Sequence, residues 1–268
     1  MNTNNSSNYI VGTGWWCTAQ DLRSVQKERK FLGSDFIRGH DFHKIWYQSL
    51  CQNTSPQKIL IVDSNSPVKP DLNTDDNRIE FISLPFNAGH STKHIGKWSG
   101  WMRSVILGLQ YAQVVDAEYY VYVEQDVLLK GKGIIEHCIK KMRTPYMFGS
   151  GIGTPQILQQ SFFIIHHSGI NDFVSRLVSM QNTDSDLCPE DKFAIATSWV
   201  LTHLSTILVR LDIRRRRQII RRFANYDLLP VGFGRTRPID FKNNFFYFQH
   251  GTEEELDTYS SLTGLKYE

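Results

Sequence analysis

Two carboxylates stand two residues apart at the end of the clearest strand in the sequence. The segment YYVYVEQDVLL, residues 119–129, contains Glu124, Gln125 and Asp126. Residues two apart in a strand point to the same face, and an apolar strand does not tolerate unpaired acids. Such a pair suits an oxygen-ligated divalent cation, Mg²⁺ or Mn²⁺, whose other ligands are water and phosphate oxygens. The alternative is a strand that ends in solvent with its acids solvated or ion-paired.

Polar residues follow other predicted strands in the same way. Asp63 comes directly after the strand KILIV, where its carboxylate can bind a base or a ribose or simply cap a turn. Asn87 follows the strand 79–84, and Arg103 lies near the start of the next helix. Backbone donors at a helix start, together with a cation, suit an anionic diphosphate, although ordinary capping explains the same residues.

An acidic helix start follows in the second half of the chain. The segment CPEDKF contains Glu190 and Asp191. A carboxylate at such a position can deprotonate an acceptor hydroxyl. The alternative is an acidic first turn after Pro189 that only complements the helix dipole.

The last candidates lie near the C-terminal end of the sequence. The apolar run FFYFQ is followed by His250, which is either a metal ligand or a structural histidine. Upstream, the basic loop GRTRPID contains Arg235 and Arg237. This loop can close over a diphosphate and offset the charge that develops on a leaving group, or it is a solvated turn.

Strand and helix patterns alternate through the first 145 residues. Strands are predicted at 9–17 (running into a Gly-rich loop), 58–62, 79–84, 119–129, 146–149 and 162–165, and helices within 24–50, 98–115 and 133–142. This alternation is typical of right-handed βαβ units. We therefore predict an α/β fold with a Rossmann-type, mostly parallel sheet flanked by helices and a C-terminal region of helices and loops. Ligands of such sheets bind at the carboxyl ends of the strands.

Composition narrows the class of protein. The 268 residues are 41% hydrophobic and 21% charged, which is typical of a globular protein. No apolar stretch is long enough to span a membrane, and the polar N-terminus lacks the pattern of a signal peptide. The four cysteines are widely spaced, with no CxxC pair, so we expect reduced thiols and a cytoplasmic location.

Positive charge is concentrated in one segment. The net charge is +3, and residues 210–222 contain seven Arg and one Asp, a local charge of +6, which leaves 3 − 6 = −3 for the rest. The pattern from 197 to 222 predicts one amphipathic basic helix. It can contact an anionic membrane peripherally through Arg214, Arg215, Arg216, Arg217, Arg221 and Arg222. The alternative is a solvated face paired with acids; no nucleic-acid partner is expected, because the remaining charge is negative.

The order of these features resembles the GT-A family of nucleotide-sugar glycosyltransferases. The matching features are a strand with a Gly-rich loop, a strand ending in Asp, a strand followed by NAGH, a helix bearing Trp and Arg, and YYVYV followed by EQD. The EQD triplet is similar to the DXD motif of that family. Within that family, the motif pattern of this sequence most resembles glycosyltransferases of bacterial surface polysaccharides and of large algal viruses.

The resemblance implies roles for the candidate residues. Asp126 would bind Mn²⁺ or Mg²⁺ directly, and His250 would complete the metal site. Asp191 would be the catalytic base of an inverting, single displacement. Glu124 would lie near the ribose or hold a metal-bound water. The donor site would comprise Gly12, Thr13, Asp63, Asn87, Arg103, Glu124, Gln125, Arg235 and Arg237.

The implied activity is transfer of a hexose or pentose from a nucleotide diphosphate sugar, with UDP the expected nucleotide. The acceptor would be a hydroxyl of a glycan or a lipid-linked glycan. We expect a single GT-A-like catalytic domain, 1–268, in which 8–145 bind the nucleotide sugar and 146–268 bind the acceptor.

Two other functions remain open. A nucleotidyltransferase acting on a sugar phosphate could use a similar sheet and metal, but Gly12-Thr13-Gly14-Trp15 is short and uncharged for a triphosphate-binding loop. A non-catalytic module could bind anionic partners through the arginine cluster. In that case the EQD triplet would be dispensable.

Overall fold

Alternating strands and helices form the described part of the chain, residues 8–18 and 32–266 of the computed structural model. The strands are β1 Tyr9–Trp15, β2 Lys58–Asp63, β3 Ile79–Ser83, β4 Gly89–His90, β5 Lys93–His94, β6 Tyr119–Val123, β7 Val127–Lys130, β8 Tyr146–Ser150, β9 Leu158–His166, β10 Asp227–Leu228, β11 Gly232–Gly234 and β12 Phe246–Gln249. The α-helices are α1 Phe42–Asn53, α2 Gly100–Val114, α3 Ile134–Ile139, α4 His167–Ser179, α5 Pro189–Ala196, α6 Trp199–His203, α7 Ser205–Leu208, α8 Ile213–Phe223 and α9 Glu253–Thr263.

A seven-stranded sheet forms the centre of the fold, in the order β10-β8-β9-β6-β1-β2-β3. Strands β3, β2, β1 and β6 are parallel to one another, and β9 is antiparallel to its neighbours β6 and β8. The predicted mixed α/β class with a mostly parallel sheet is therefore confirmed. The carboxyl ends of β1, β2, β3 and β6 meet at one edge of the sheet, which we call the carboxyl edge.

The sheet separates two hydrophobic cores. Side chains alternate along each strand, so that Tyr9 and Val11 face one core and Ile10 faces the other. Helix α1 and the second sheet cover the first face, and α2, α4 and α5 cover the second face. The result is a three-layer arrangement, in which each amphipathic element buries its apolar side against the central sheet.

The second sheet has three strands, in the order β11-β12-β7. Strand β12 pairs antiparallel with β7, so that Gln249 lies opposite Val127. Strand β11 pairs parallel with β12, so that Gly234 lies beside Phe248. This small sheet brings residues near 250 next to the turn that follows β6.

Two expectations about individual elements were wrong, and part of a third lies outside the described residues. The segment 119–129 is two strands, because Glu124 to Asp126 form a turn between β6 and β7. The segment 197–222 is three short helices rather than one. Its breaks coincide with residues that favour helix starts, since the Asp212 carboxylate accepts hydrogen bonds from the first N–H groups of α8. Of the helical pattern at 24–50, residues 24–31 lie outside the described part.

The glycines of the first strand do not form a ligand-binding loop. Gly12 and Thr13 lie inside β1, between β2 and β6, and the Thr13 side chain is buried. A Cβ on Gly12 would meet the Tyr120 hydroxyl at 2.1 Å, so glycine is required there by close packing. Because both residues are enclosed by the sheet, their predicted contact with a donor is corrected.

Two further features agree with the composition. None of the helices in residues 8–18 and 32–266 combines the length and the apolar character needed to span a bilayer. The four cysteines are free thiols, as predicted.

The packing of Tyr120 gives a first prediction. Gly12→Ala should lower the free energy of unfolding by roughly 1–3 kcal/mol, because the added methyl group overpacks the core. Tyr120→Phe should be neutral or stabilising, since the Tyr120 hydroxyl is buried and makes no hydrogen bond with the described residues. Tyr122→Phe is the matched control; its hydroxyl accepts a hydrogen bond from Gly14 N at 3.2 Å, so its loss should cost about 1 kcal/mol. Urea unfolding measures all three, and equal effects of the two Tyr→Phe changes would contradict this account.

Candidate active site

The turn after β6 is fixed to the end of β1 by the side chain of Gln125. Its Oε1 accepts a hydrogen bond from Trp16 N at 2.8 Å, and its Nε2 donates to Trp16 O at 3.1 Å. Both ends of this amide are therefore bonded to the backbone of Trp16. These bonds hold Glu124 and Asp126 at the carboxyl edge. Direct contact of Gln125 with a donor is not favoured, because both ends of its amide are already used.

Both carboxylates of the turn bind one amide from β12. Gln249 Nε2 donates to Glu124 Oε2 at 2.8 Å and to Asp126 Oδ1 at 3.0 Å. Gln249 and Asp126 are buried, at 5% and 9% exposure. The amide dipole reduces the repulsion between two acids, which would otherwise be costly in a poorly hydrated site. The two carboxylates thus point toward the same amide, although the turn, and not a strand, places them.

His250 lies beside the same carboxylate. Its Nε2 is 3.3 Å from Asp126 Oδ2, and its backbone has a positive φ of 58°, which is uncommon outside glycine. The guanidinium of Arg237 holds this conformation, because it donates to Gln249 O at 2.9 Å and to His250 O at 3.4 Å and also pairs with Glu255. Arg237 therefore positions His250, which corrects its predicted contact with a diphosphate.

The Asp126–His250 pair fits two ligands of one divalent cation. Adjacent ligands of an octahedral ion bound at about 2.1 Å lie about 3 Å apart, close to the observed 3.3 Å. In the described residues no group of three His, Cys, Asp or Glu side chains converges to hold a metal. Water and phosphate oxygens would have to complete the coordination sphere, as Mg²⁺ and Mn²⁺ commonly allow.

Arg235 lies in the turn after β11. Its backbone N donates to Gln159 Oε1 at 2.6 Å, and Gln159 Nε2 donates to Ser150 O at 2.6 Å. The Arg235 guanidinium itself makes no hydrogen bond or ion pair with the described residues. Arg235 follows Gly234, the last residue of β11, which pairs with Phe248 in β12. Arg235 is thus a half-buried cation available to an anionic ligand.

Asp63 is fully buried, and its carboxylate is occupied. Oδ1 accepts a hydrogen bond from Ser66 N at 2.9 Å, and Oδ2 accepts from Ser83 Oγ at 2.6 Å and pairs with Lys69. These partners join β2 to β3 and to the loop after β2. The prediction that Asp63 binds a base or ribose is therefore corrected, because no surface of the side chain is accessible.

Asn87 and Arg103 stabilise the loops between β3 and α2. Asn87 is exposed, and its Oδ1 accepts a hydrogen bond from Gly89 N at 2.9 Å. The Arg103 guanidinium donates to Trp98 O at 3.1 Å and to Ile95 O at 3.2 Å. Asn87 remains accessible to a ligand, whereas Nε and one terminal nitrogen of Arg103 are directed at backbone carbonyls.

The two acidic residues of CPEDKF differ in how deeply they are buried. Asp191 has 0% exposure, and its two oxygens accept from Arg216 Nε at 3.1 Å and Arg217 Nε at 3.0 Å. Glu190 is half-buried, and burial raises the pKa of its carboxyl above the usual range. The structure therefore corrects the assignment of Asp191 as base, because a carboxylate enclosed by two arginines cannot meet an acceptor hydroxyl.

A second buried ion pair lies next to Asp191 and was missed from the sequence. Lys192 Nζ donates to Asp184 Oδ1 at 2.7 Å, with side-chain exposures of 1% and 0%. Asp184 Oδ2 accepts from Ser99 N at 2.7 Å, and its backbone N donates to His94 Nε2 at 3.1 Å. The pair thus connects α5 to the start of α2. The partners are only eight residues apart, so the density of charge in the segment DSDLCPEDK, residues 184–192, was the one signal that could have indicated the pair.

The arginines of α8 divide into two groups. Arg216 and Arg217 face inward to Asp191, each with 12% side-chain exposure. The remaining members of the predicted membrane-facing set are exposed: Arg214, Arg215, Arg221 and Arg222. The surface predicted to contact a membrane therefore contains four of the six expected arginines, which corrects that prediction.

Comparison with known proteins identifies similar folds only. No family model matches the chain, and no curated relative is detected. The chain is similar to the glycosyltransferase GlyE of Streptococcus pneumoniae TIGR4 (TM-score 0.41, 10% identity, covering 84% of this chain and 46% of that one). It is also similar to S. aureus TarS (0.46, 11%, 94% and 38%) and to the mannosyltransferase PcManGT from Pyrobaculum calidifontis in complex with GDP-Man and Mn²⁺ (0.42, 8%, 80% and 68%).

A putative glucose-1-phosphate thymidylyltransferase from Bacillus anthracis is similar at the same level (TM-score 0.39, 10% identity, covering 98% and 97%). The chain spans less than half the length of GlyE and TarS. At 8–11% identity these similarities describe the fold, and they do not distinguish sugar transfer from nucleotidyl transfer.

The buried position of Asp191 gives the second prediction. Asp191→Asn should lower the free energy of unfolding by roughly 3–5 kcal/mol, because it leaves two guanidinium groups without their counterion. Glu190→Gln, one residue earlier and half-buried, is the matched control and should change stability by about 1 kcal/mol or less. Thermal and urea unfolding measure both. A stable Asp191→Asn protein would contradict the structural role.

Proposed function

We propose that this protein is a metal-dependent glycosyltransferase that uses a nucleotide diphosphate sugar. The observation that carries the proposal is the Asp126–His250 pair, 3.3 Å apart, at the carboxyl edge of a mostly parallel sheet. Open α/β sheets bind their ligands at this edge. A carboxylate and an imidazole that together offer part of a coordination sphere leave positions for the oxygens of a diphosphate.

Asp126 and His250 would hold Mn²⁺ or Mg²⁺, which when bound neutralises negative charge on the leaving diphosphate. The protein supplies the rest of the site. Arg237 keeps His250 in its unusual backbone conformation, and Gln249 orients both carboxylates of the turn. Arg235 offers a half-buried guanidinium in the turn after β11, which can offset charge on the same leaving group.

The charges at the carboxyl edge are the basis for the proposed donor. A diphosphate needs cations, and the carboxyl edge offers Arg235 and the metal pair. UDP remains the expected nucleotide, and the sugar is a hexose or pentose. Glu124 would contact the ribose or a metal-bound water. Inversion in a single displacement requires a base on the acceptor side.

Metal-dependent nucleotide binding is the third prediction. In thermal unfolding with UDP, GDP, CDP and dTDP, one diphosphate should raise Tm by several degrees only when Mn²⁺ is present, because a ligand at 100 times its Kd adds about 2.7 kcal/mol. Asp126→Asn and His250→Ala should remove the shift.

The matched control is Asp116→Asn, an exposed residue with a positive φ of 54° that asparagine tolerates. It should keep the full shift. A shift that needs no metal, or that persists in Asp126→Asn, would contradict the metal site. Release of pyrophosphate from a nucleoside triphosphate and a sugar phosphate would instead favour a nucleotidyltransferase.

We also propose peripheral contact with an anionic membrane on the cytosolic side, which would suit a lipid-linked acceptor. The support is the exposed part of α8 and its neighbours, where arginines lie among exposed apolar side chains. These apolar residues are Trp199, Val200, Leu204, Ile207, Ile213 and Phe223, with exposures from 37% to 63%. Such a mixture is typical of interfacial helices.

Vesicle binding is the fourth prediction. Arg221→Gln combined with Arg222→Gln should weaken binding to phosphatidylglycerol vesicles roughly 30-fold, since each basic residue contributes about 1 kcal/mol near anionic lipid. Lys140→Gln with Lys141→Gln removes the same charge from another exposed site and should weaken it much less. Sedimentation with vesicles measures both, and equal losses would indicate only a general charge effect.

A further inference from the structure

Three successive backbone carbonyls, those of residues 249, 250 and 251, are each held by another segment of the chain. Arg237 donates to the first two, to Gln249 O at 2.9 Å and to His250 O at 3.4 Å. The third, Gly251 O, accepts a hydrogen bond from Ser34 N at 2.8 Å. The backbone around His250 is therefore fixed by two segments, one that follows β11 and one that precedes α1.

Gly33, the residue before Ser34, lies against the same stretch of backbone. A Cβ on Gly33 would be 2.5 Å from His250 O and 2.9 Å from Gly251 O, which is too close for any other residue type unless the backbone shifts. Gly33 also has a φ of +78°, a conformation that residues with a side chain rarely adopt. Glycine is thus required here both by its own backbone and by the close approach of the His250 carbonyl.

The guanidinium of Arg237 is itself held by Glu255. Glu255 Oε1 pairs with Arg237 Nε at 2.5 Å, and Glu255 Oε2 accepts hydrogen bonds from Arg237 and from Thr252 N, both at 3.0 Å. Thr252 and Glu255 form the capping box of α9, so the cation is anchored to the start of a helix. The contacts to the carbonyls therefore come from a side chain with little freedom to move.

These contacts stabilise an unfavourable backbone conformation. His250 has a φ of 58°, in the left-handed region that disfavours residues other than glycine. Such conformations persist only where the surrounding structure enforces them, and they are concentrated at ligand sites. In this conformation His250 Nε2 lies 3.3 Å from Asp126 Oδ2. Relaxation to a negative φ would change the direction of the imidazole and separate it from the carboxylate.

We propose that Gly33 and Ser34 are positioning residues for the metal site, because they keep the imidazole of His250 beside Asp126 before a cation binds. This inference rests on the proposed metal-dependent function. Arg237 holds the carbonyls of residues 249 and 250, and Ser34 holds the next one, so neither contact replaces the other. Loss of groups that orient a metal ligand from outside the coordination sphere typically weakens metal binding roughly 10–100-fold.

The fifth prediction concerns the Mn²⁺ concentration that gives half of the thermal shift with the most effective of UDP, GDP, CDP and dTDP. Gly33→Ala should raise this concentration roughly tenfold or more, because the added methyl group displaces the His250 carbonyl. Gly264→Ala serves as the comparison: Gly264 also has a positive φ, +72°, but nothing lies within 4 Å of a Cβ there. It should lower Tm through the same backbone effect and leave the required Mn²⁺ concentration unchanged.

Two variants of Ser34 test the hydrogen bond separately. Ser34→Pro removes the N–H donor at a φ of −66°, which proline adopts. Ser34→Ala keeps the N–H and removes only the hydroxyl, which accepts a hydrogen bond from Phe36 N. The proline variant should therefore need more Mn²⁺ for half of the shift, and the alanine variant should not. This pair decides the question alone if Gly33→Ala does not fold.

Each variant is compared with its own Tm in the absence of ligand, so that a loss of stability is separated from a loss of metal affinity. A lower Tm with an unchanged Mn²⁺ requirement in Gly33→Ala and Ser34→Pro would overturn the inference and leave the proposed function standing. A wild-type protein that shows no metal-dependent shift with any diphosphate would overturn the proposed function itself.

Discussion

Two buried ion pairs on adjacent residues of one short helix constrain the second half of this protein. Asp191 is held by two arginines of α8, and Lys192 is held by Asp184, which in turn binds the backbone at the start of α2. Isolated charges cannot remain buried, so each partner must be present for α5 to pack. Helix α5 is thereby fixed in two directions, toward α8 and toward the start of α2.

Neighbouring residues of α5 have different environments. Asp191 and Lys192 face the interior, and Glu190 lies at the margin of the same helix. A similar division is found at the turn after β6, where Gln125 binds backbone while its two neighbours bind Gln249. In both places one residue anchors the segment through its hydrogen bonds, and an adjacent glutamate is only half-buried. A rigid, internally bonded support of this kind holds ligating groups in place before a ligand arrives.

The sequence indicated the architecture better than the site. Period-2 apolar runs and helical spacing were enough for the central strands and for α2, because burial on a sheet imposes those periods. The break of 119–129 into two strands could not be seen, since it is imposed by pairing with β12 over a hundred residues later. Asp63 and Asp191 looked reactive because acids at strand ends and helix starts often are. Their partners Lys69, Ser83, Arg216 and Arg217 are brought to them only by the fold.

The Asp126–His250 pair joins residues that are very distant along the chain, and the neighbouring Gln249 reaches Asp126 across 123 positions. Strand β12 has only four residues, so local opening of this strand would separate His250 from Asp126 without requiring the seven-stranded sheet to open. Any ligand that bridges the two segments therefore closes a long loop and suppresses this sub-global opening. Hydrogen exchange at β12 should thus be the most sensitive to occupancy, and the affinity of the site is linked to the local stability of one short strand.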